Sequence, residues 1–120
     1  MLKLLNGGVT IRNPKSVFLG EDVLFDGLHP EDIYIGEGSV ITDGVKILTH
    51  FYKPDDRCMY RGKVNIGDRV FIGINAIIVN AVNIGDNAVV AAGSVVTKDI
   101  QQNEIWGGNP EKFIRRREEK

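Results

Sequence analysis

Few side chains in this sequence are suited to acid–base or nucleophilic chemistry. The chain of 120 residues contains two histidines, His29 and His50, and one cysteine, Cys58. A neutral imidazole near pH 7 can accept a proton from a substrate group, so each histidine is a candidate general base. His29 precedes Pro30, which favours a solvated turn residue. Cys58 has no histidine beside it in the sequence to activate its thiol, which favours an inert cysteine.

The composition excludes several kinds of site and partner. Two histidines and one cysteine are too few for most zinc sites. We therefore expect no bound metal, and in particular no metal held by three histidines that activates a water molecule. Lysine and arginine total 15 against 16 acidic residues, which argues against nucleic acid or an anionic membrane as main partner. No apolar run approaches the roughly 20 residues of a membrane span. A single cysteine and no signal-peptide pattern indicate a cytoplasmic location.

A period of six residues dominates the sequence from residue 66 onward. Aliphatic side chains recur at this spacing without a break at Ile66, Ile72, Ile78, Ile84, Val90 and Val96. An earlier block keeps the same spacing at Ile35, Ile41 and Ile47. The residue that follows each aliphatic is mostly small, and glycine accounts for 14 residues of the chain. A helix would repeat every 3.6 residues and a free strand every two, so the pattern predicts short strands joined by tight corners.

Such units build a triangular solenoid. Three of them close one coil of about 18 residues, and stacked coils bond through their backbones about 4.8 Å apart. An antiparallel sandwich, the alternative, would show strict alternation, which the chain lacks. We therefore expect an all-β, parallel β-helix forming a single domain over residues 1–120. Irregular coils are expected over 1–34, regular coils over 35–101 and a terminal cap over 102–120.

The repeat lapses between residues 49 and 66. Residues 53–63 are polar and include a proline, which predicts a loop that protrudes from the solenoid wall. His50 borders this loop, and counting from Ile47 puts its side chain on the outside of the coil. Taken alone, His50 could be a surface histidine or a general base. Asp32 lies 18 residues earlier, nominally one coil away, and could orient the imidazole.

The C-terminus has the residue pattern of a helix start. Asn109 can serve as an N-cap, Pro110 as the first helical residue and Glu111 as an acid in the first turn. Phe113 and Ile114 would form an apolar side. A short helix here would cover the open edge of the last coil.

Four segments of the chain resemble the hexapeptide-repeat acyltransferases, most closely the maltose, galactoside and polysaccharide O-acetyltransferases. The segments are residues 47–50 (ILTH), 64–73 (VNIGDRVFIG), 84–99 (IGDNAVVAAGSVVTKD) and 108–115 (GNPEKFIR). The first is similar to the family's catalytic-histidine segment and the last to its closing motif, although Glu111 stands where the family usually has alanine. The resemblance implies that the β-helix is left-handed.

The resemblance also implies an activity. It indicates transfer of an acetyl group from acetyl-CoA to a hydroxyl of a sugar or polysaccharide precursor, with His50 as general base and no covalent intermediate. The donor-binding residues that it implies are Ile74, Ala92, Thr97, Lys98, Lys112 and Arg115. It further implies a homotrimer with sites between subunits. An N-acetyltransferase acting on an amino sugar and a non-catalytic solenoid scaffold are the alternatives, and the residues leave the acceptor open.

Overall fold

The computed structural model describes residues 8–117, so the first seven residues of the predicted irregular coils and the last three of the predicted cap lie outside it. Within that range the chain forms short strands and two 3₁₀ turns, Pro14–Ser16 and Pro30–Asp32, and no α-helix. The strands are β1 (Thr10–Ile11), β2 (Phe18–Leu19), β3 (Leu24–Phe25), β4 (Ile33–Ile35), β5 (Val40–Ile41), β6 (Lys46–Ile47), β7 (His50–Lys53), β8 (Cys58–Arg61), β9 (Val64–Ile66), β10 (Phe71–Ile72), β11 (Ile77–Ile78), β12 (Asn83–Ile84), β13 (Val89–Val90), β14 (Val95–Val96), β15 (Glu104–Gly107) and β16 (Lys112–Arg116).

Consecutive strands enter three sheets in rotation. Sheet A has the order β1-β4-β9-β12, sheet B the order β16-β15-β13-β10-β5-β2, and sheet C the order β14-β11-β6-β3. Thus β4, β5 and β6 belong to A, B and C in turn, and β9 to β14 repeat the rotation twice. Neighbours within each sheet are parallel except at β16. The predicted all-β, parallel β-helix is confirmed.

The aliphatic residues of the six-residue repeat form the core. Each stacks on its counterpart in the next coil, as in the register Ile41 to Ile72 to Val90 of sheet B. All nine residues of the two predicted blocks are buried. Burying one such side chain contributes about 1.5–3 kcal/mol, so the stacked column is the main source of stability. Coils also meet closely at the corners: a Cβ at Gly73 would lie 2.5 Å from the backbone nitrogen of Ala92.

The segment that was predicted to protrude is a β-hairpin. β7 and β8 pair antiparallel and belong to no solenoid sheet. The backbone N–H of Gly62 donates to the carbonyl of Thr49 at 2.9 Å, so the chain leaves and rejoins the wall at nearly one point. The hairpin therefore begins at His50, three residues before the predicted loop.

The predicted C-terminal helix is wrong. Lys112–Arg116 forms the strand β16, which pairs antiparallel with β15. The preceding segment already belongs to the ladder, because Val95 N–H donates to the Gly108 carbonyl at 2.9 Å and Glu111 N–H donates to the Val95 carbonyl at 3.1 Å. Phe113 packs edge-on against Trp106 with ring centroids 6.0 Å apart. Pairing with β15 and packing against Trp106 therefore favour a strand here more than the local N-cap residues favour a helix.

Glu111 completes the last coil with its side chain. Its carboxylate is 4% exposed and accepts the Thr97 N–H at 3.0 Å, the Thr97 hydroxyl at 3.0 Å and the Lys98 N–H at 2.8 Å. In the coil below, the N–H of Val79 donates to the carbonyl of Val96. The carboxylate therefore replaces the carbonyls that a further coil would supply.

Substitution Glu111→Ala is expected to destabilise the fold by about 2–4 kcal/mol, since it leaves two backbone N–H groups without an acceptor. Urea unfolding at equal protein concentration measures the effect. The control Glu21→Ala alters an exposed carboxylate and should change stability by less than about 0.5 kcal/mol. Equal stability of the two variants would contradict a capping role for Glu111.

Candidate active site

His50 lies where the hairpin leaves the solenoid wall. β6 ends at Ile47, Thr49 is buried, and His50 is the first residue of β7. Its side chain is 31% exposed and its cross-strand partner is Arg61. The imidazole is therefore fixed at one edge by the wall and open to solvent at the other.

A buried carboxylate holds the His50 ring. Asp26 Oδ2 lies 2.5 Å from Nδ1 of His50 and also accepts the backbone N–H groups of Thr49 at 2.7 Å and His50 at 3.1 Å. Its Oδ1 accepts the N–H of Leu28 at 2.7 Å and of His29 at 3.2 Å. Asp26 is 1% exposed. Five nitrogen atoms thus surround one carboxylate that has almost no contact with water.

Asp26 is ionised in this setting. Burial alone would raise the pKa of its carboxyl, but the backbone N–H groups and the His50 side chain lower that pKa far below its ordinary value of 3.8. An ionised carboxylate only accepts hydrogen bonds, so Nδ1 of His50 carries the proton that faces it. Nε2 is then the nitrogen left to accept a proton from a substrate.

The expected role of Asp32 is wrong. Asp32 accepts from Nε of Arg61 at 2.7 Å and from Nη2 at 3.4 Å, and the same guanidinium reaches Glu31 at 3.0 Å. The Arg61 guanidinium lowers the pKa of the Asp32 carboxyl below its ordinary value. Asp32 therefore holds the base of the hairpin rather than the imidazole.

Sequence reasoning missed Asp26 because the irregular segment 27–32 lengthens this coil from 18 to 22 residues and because His50 lies two positions after the residue in register with Asp26. The register supplies the missing signal. Phe25 pairs with Ile47, which makes Asp26 the counterpart of Leu48, one position past a repeat aliphatic. A carboxylate directly after an inward apolar residue such as Phe25, in the coil next to a histidine, is a recognisable pattern.

The six implied donor-binding residues fall into three places. Ile74 and Ala92 are exposed at the same corner of successive coils, before strands β11 and β14 of sheet C. Thr97 and Lys98 follow β14 at the opposite edge of sheet C, the edge at which His50 follows β6. Sheet C therefore lies between the two corners. Over residues 8–117, the ammonium of Lys98 makes no ion pair.

Lys112 and Arg115 lie apart from this sheet. Both are exposed on β16, the outermost strand of sheet B, and Arg115 is the first residue of the basic stretch 115–117. Cys58 is exposed on β8 and its thiol contacts the carbonyl of Asp56. The side chain of His29 lies 3.5 Å from Glu31. The structure thus groups neither Cys58 nor His29 with the His50 imidazole.

A separate cleft runs along sheet A. It is lined by residues that include Tyr34, Asn65, Asn83, Asp99 and Gln101, none of which is a predicted site residue. No residues in the described part of the chain form a group of three potential metal ligands. No helix within residues 8–117 is long and apolar enough to cross a membrane.

Comparison with known proteins identifies the family. The family model described as the hexapeptide repeat of succinyl-transferase matches residues 63–98. A solved maltose O-acetyltransferase from Clostridium difficile 630 is 30% identical, with a TM-score of 0.67 over 93% of this chain and 71% of that chain. This chain belongs to the hexapeptide-repeat acyltransferases. Its solenoid is the left-handed parallel β-helix of that family.

Other known proteins match this chain over shorter parts of their own sequences. YvoF of Bacillus subtilis (strain 168) is 44% identical over 98 residues, which cover 81% of this chain and 55% of that protein. A galactoside O-acetyltransferase of Lactococcus lactis is 39% identical over 84 residues, covering 66% and 41%. The chain thus spans about half the length of these relatives. A galactoside acetyltransferase solved with coenzyme A is 26% identical, with a TM-score of 0.68, 96% coverage of this chain and 67% of that chain.

The depressed pKa of Asp26 predicts a pH-dependent contribution to stability. A carboxyl with a lower pKa in the folded state stabilises the fold above its ordinary value of 3.8, and this contribution is lost as pH falls below it. Substitution Asp26→Asn should therefore cost about 1–3 kcal/mol at pH 7. The difference from the wild type should become smaller at pH 3.

Urea unfolding at both pH values measures this difference. The control Asp22→Asn changes an exposed carboxyl that makes no side-chain hydrogen bond within the described residues, and it should behave as the wild type at both pH values. Parallel stability curves for Asp26→Asn and the wild type would contradict the assignment.

Proposed function

We propose that this protein transfers an acetyl group from acetyl-CoA to a hydroxyl of a sugar or polysaccharide precursor. The observation that carries the proposal is the contact of 2.5 Å between Nδ1 of His50 and the buried carboxylate of Asp26. It leaves Nε2 free at an exposed edge of sheet C. The names of the family members support the choice of reaction, since they include maltose and galactoside O-acetyltransferases.

The mechanism follows from the different partners of the two ring nitrogens of His50. Nε2 takes the proton of an acceptor hydroxyl while that oxygen attacks the thioester carbonyl, and Asp26 stabilises the imidazolium that forms. Backbone N–H groups would bind the developing oxyanion. The C–S bond then breaks, and the imidazolium returns its proton to the departing thiolate of CoA. A thioester is already activated, so His50 can act without a covalent enzyme intermediate.

We propose that acetyl-CoA lies along sheet C. Ile74 and Ala92 would contact the pantetheine arm at one corner, and Thr97 and Lys98 would contact it at the other. The Thr97 N–H and hydroxyl already donate to Glu111, so Thr97 could bind the donor only as an acceptor, through its hydroxyl or carbonyl oxygen.

The phosphates of acetyl-CoA would bind at β16, the strand at the C-terminal end of the solenoid. Lys112 and Arg115 are exposed there, and charge-assisted contacts to phosphate suit both side chains. A donor that carries several negative charges would therefore approach sheet C with its nucleotide toward β16.

We propose that the active form is a homotrimer with the sites between subunits. The outward row of sheet B is apolar and in register, and consists of Phe18, Val40, Phe71, Val89 and Ile105. The outward row of sheet A contains Thr10, Tyr34, Asn65 and Asn83. An apolar row of this length favours contact with another copy, whereas the polar row favours solvent.

Substitution His50→Gln is expected to lower kcat about 10²–10⁴-fold, because it removes the proton acceptor. Release of free thiol from acetyl-CoA, measured with a panel of methyl pyranosides, gives the rate. The control Cys58→Ser removes the one thiol of the protein and should keep full activity, as direct transfer requires. A His50→Gln variant with more than half of the wild-type rate would rule out the role of His50.

Substitution Phe71→Asp is expected to dissociate the trimer, because it places a charge in the apolar row of sheet B. Light scattering should give the mass of one chain, with circular dichroism confirming that the solenoid persists. The matched control Asn83→Asp introduces the same carboxylate on the outward row of sheet A and should remain trimeric. Dissociation of the control, or a trimeric Phe71→Asp variant, would contradict the proposed interface.

A further inference from the structure

The hairpin has one face whose side chains pack against each other. Strand register pairs Phe51 with Tyr60 and Lys53 with Cys58. The Phe51 and Tyr60 rings stack with centroids 5.8 Å apart, and Nζ of Lys53 lies 4.5 Å from the centre of the Tyr60 ring. The Tyr60 hydroxyl contacts the carboxylate of Asp56. The aromatic groups of this face therefore already have partners.

The other face carries apolar side chains next to His50. Register pairs His50 with Arg61 and Tyr52 with Met59. Because side chains alternate along a strand, these four point to the same side of the hairpin. Tyr52 is 53% exposed and Met59 is 58% exposed. Among residues 8–117, neither makes a side-chain hydrogen bond, and Tyr52 stacks on no other ring.

The spacing on this face suits a ring-shaped substrate. Two residues along a strand span about 6.8 Å, so the backbone positions of Tyr52 and His50 are spaced by about the width of a pyranose ring. A sugar ring has an apolar C–H face and hydroxyls at its rim. With the C–H face on Tyr52, a rim hydroxyl would point toward Nε2 of His50.

We propose that Tyr52, with Met59 beside it, is the platform on which a pyranose acceptor stacks, so that Tyr52 selects cyclic sugars as substrates. The inference rests on the proposed function, because it assigns an acceptor site to the same imidazole. The flat Tyr52 ring would bury the apolar C–H face of the sugar and fix its orientation.

The charges nearby favour a neutral acceptor. Arg61 is the cation closest to His50 on this face, and Asp32 and Glu31 already neutralise it. Asp26 adds a further negative charge beneath the imidazole. Of the four described side chains on this face, none is a cation without an acidic partner that could hold a carboxylate or phosphate of the acceptor, which leaves stacking and hydroxyl contacts as the means of recognition.

The test compares two kinds of acceptor with acetyl-CoA as donor. One is a panel of methyl gluco-, galacto- and mannopyranosides, which can stack, and the other is glycerol, which has hydroxyls but no ring. Substitution Tyr52→Ala should lower kcat/KM for the best pyranoside about tenfold and leave kcat/KM for glycerol unchanged. Tyr52→Phe should retain the pyranoside preference, because the ring rather than the hydroxyl supplies the platform.

Controls separate this role from others. Lys53→Gln alters the opposite face of the same strand and should leave the preference intact. Calorimetry should give the same affinity of Tyr52→Ala and wild type for CoA. An equal loss with pyranosides and glycerol, or a change of oligomeric mass by light scattering, would overturn the platform; the second result would assign the face to a subunit contact.

The outcomes also separate this inference from the proposed function. An active wild type whose pyranoside preference survives in Tyr52→Ala contradicts the platform and leaves the acetyltransferase intact. A wild type that releases no thiol with any hydroxyl acceptor contradicts the proposed function and the platform with it.

Discussion

Backbone hydrogen bonding between successive coils is the constraint on which the rest of the structure depends. Each strand has only two or three residues in most coils, so no strand is stable without the coil above and below it. The inward aliphatic column supplies the free energy and the ladder fixes the height of each turn. The two ends of the ladder must then be satisfied by something other than another coil. Glu111 does so for the N–H groups of Thr97 and Lys98.

The carboxylate of Asp26 also accepts backbone N–H groups where the repeat is interrupted, and it orients the His50 imidazole at the same time. It accepts the N–H groups of Thr49 and His50 at the point where the hairpin leaves the wall. The same oxygen atom also meets Nδ1 of His50. A group that satisfies the backbone at a break in the repeat thus also sets the tautomer and orientation of an imidazole. The buried charge of Asp26 therefore serves both the stability of the fold and the proposed proton transfer.

The sequence predicted the solenoid because its period is a local property. Ile66, Ile72 and Ile78 recur at one spacing, and no other regular structure has that period. The C-terminal strand was not predictable from the same kind of signal. Asn109 and Pro110 favour a helix locally, while the partner that decides the outcome, β15, is a sheet edge formed only when the coils have stacked. Local propensity gave way to tertiary pairing.

The carboxylate partner of His50 could not be predicted from the sequence for a related reason. Counting by coils leads to Asp32, but the bulge at residues 27–32 changes the count and brings Asp26 under the imidazole instead. The donor-binding residues implied by the family resemblance remain predictions: four of them flank sheet C, whereas Lys112 and Arg115 lie on β16 of sheet B. The apolar row of sheet B was visible only after register had placed Phe71 and Val89 side by side.

The hydrogen bond at the base of the hairpin allows the hairpin to change without altering the solenoid coils. Thr49 and Gly62 meet at 2.9 Å, so the wall continues as though the intervening residues were absent. Insertions or deletions between them leave the height and phase of the coils unchanged. The hairpin beyond His50 can therefore change in length and sequence while the coils keep their register, which suits a fold whose members differ in what they modify.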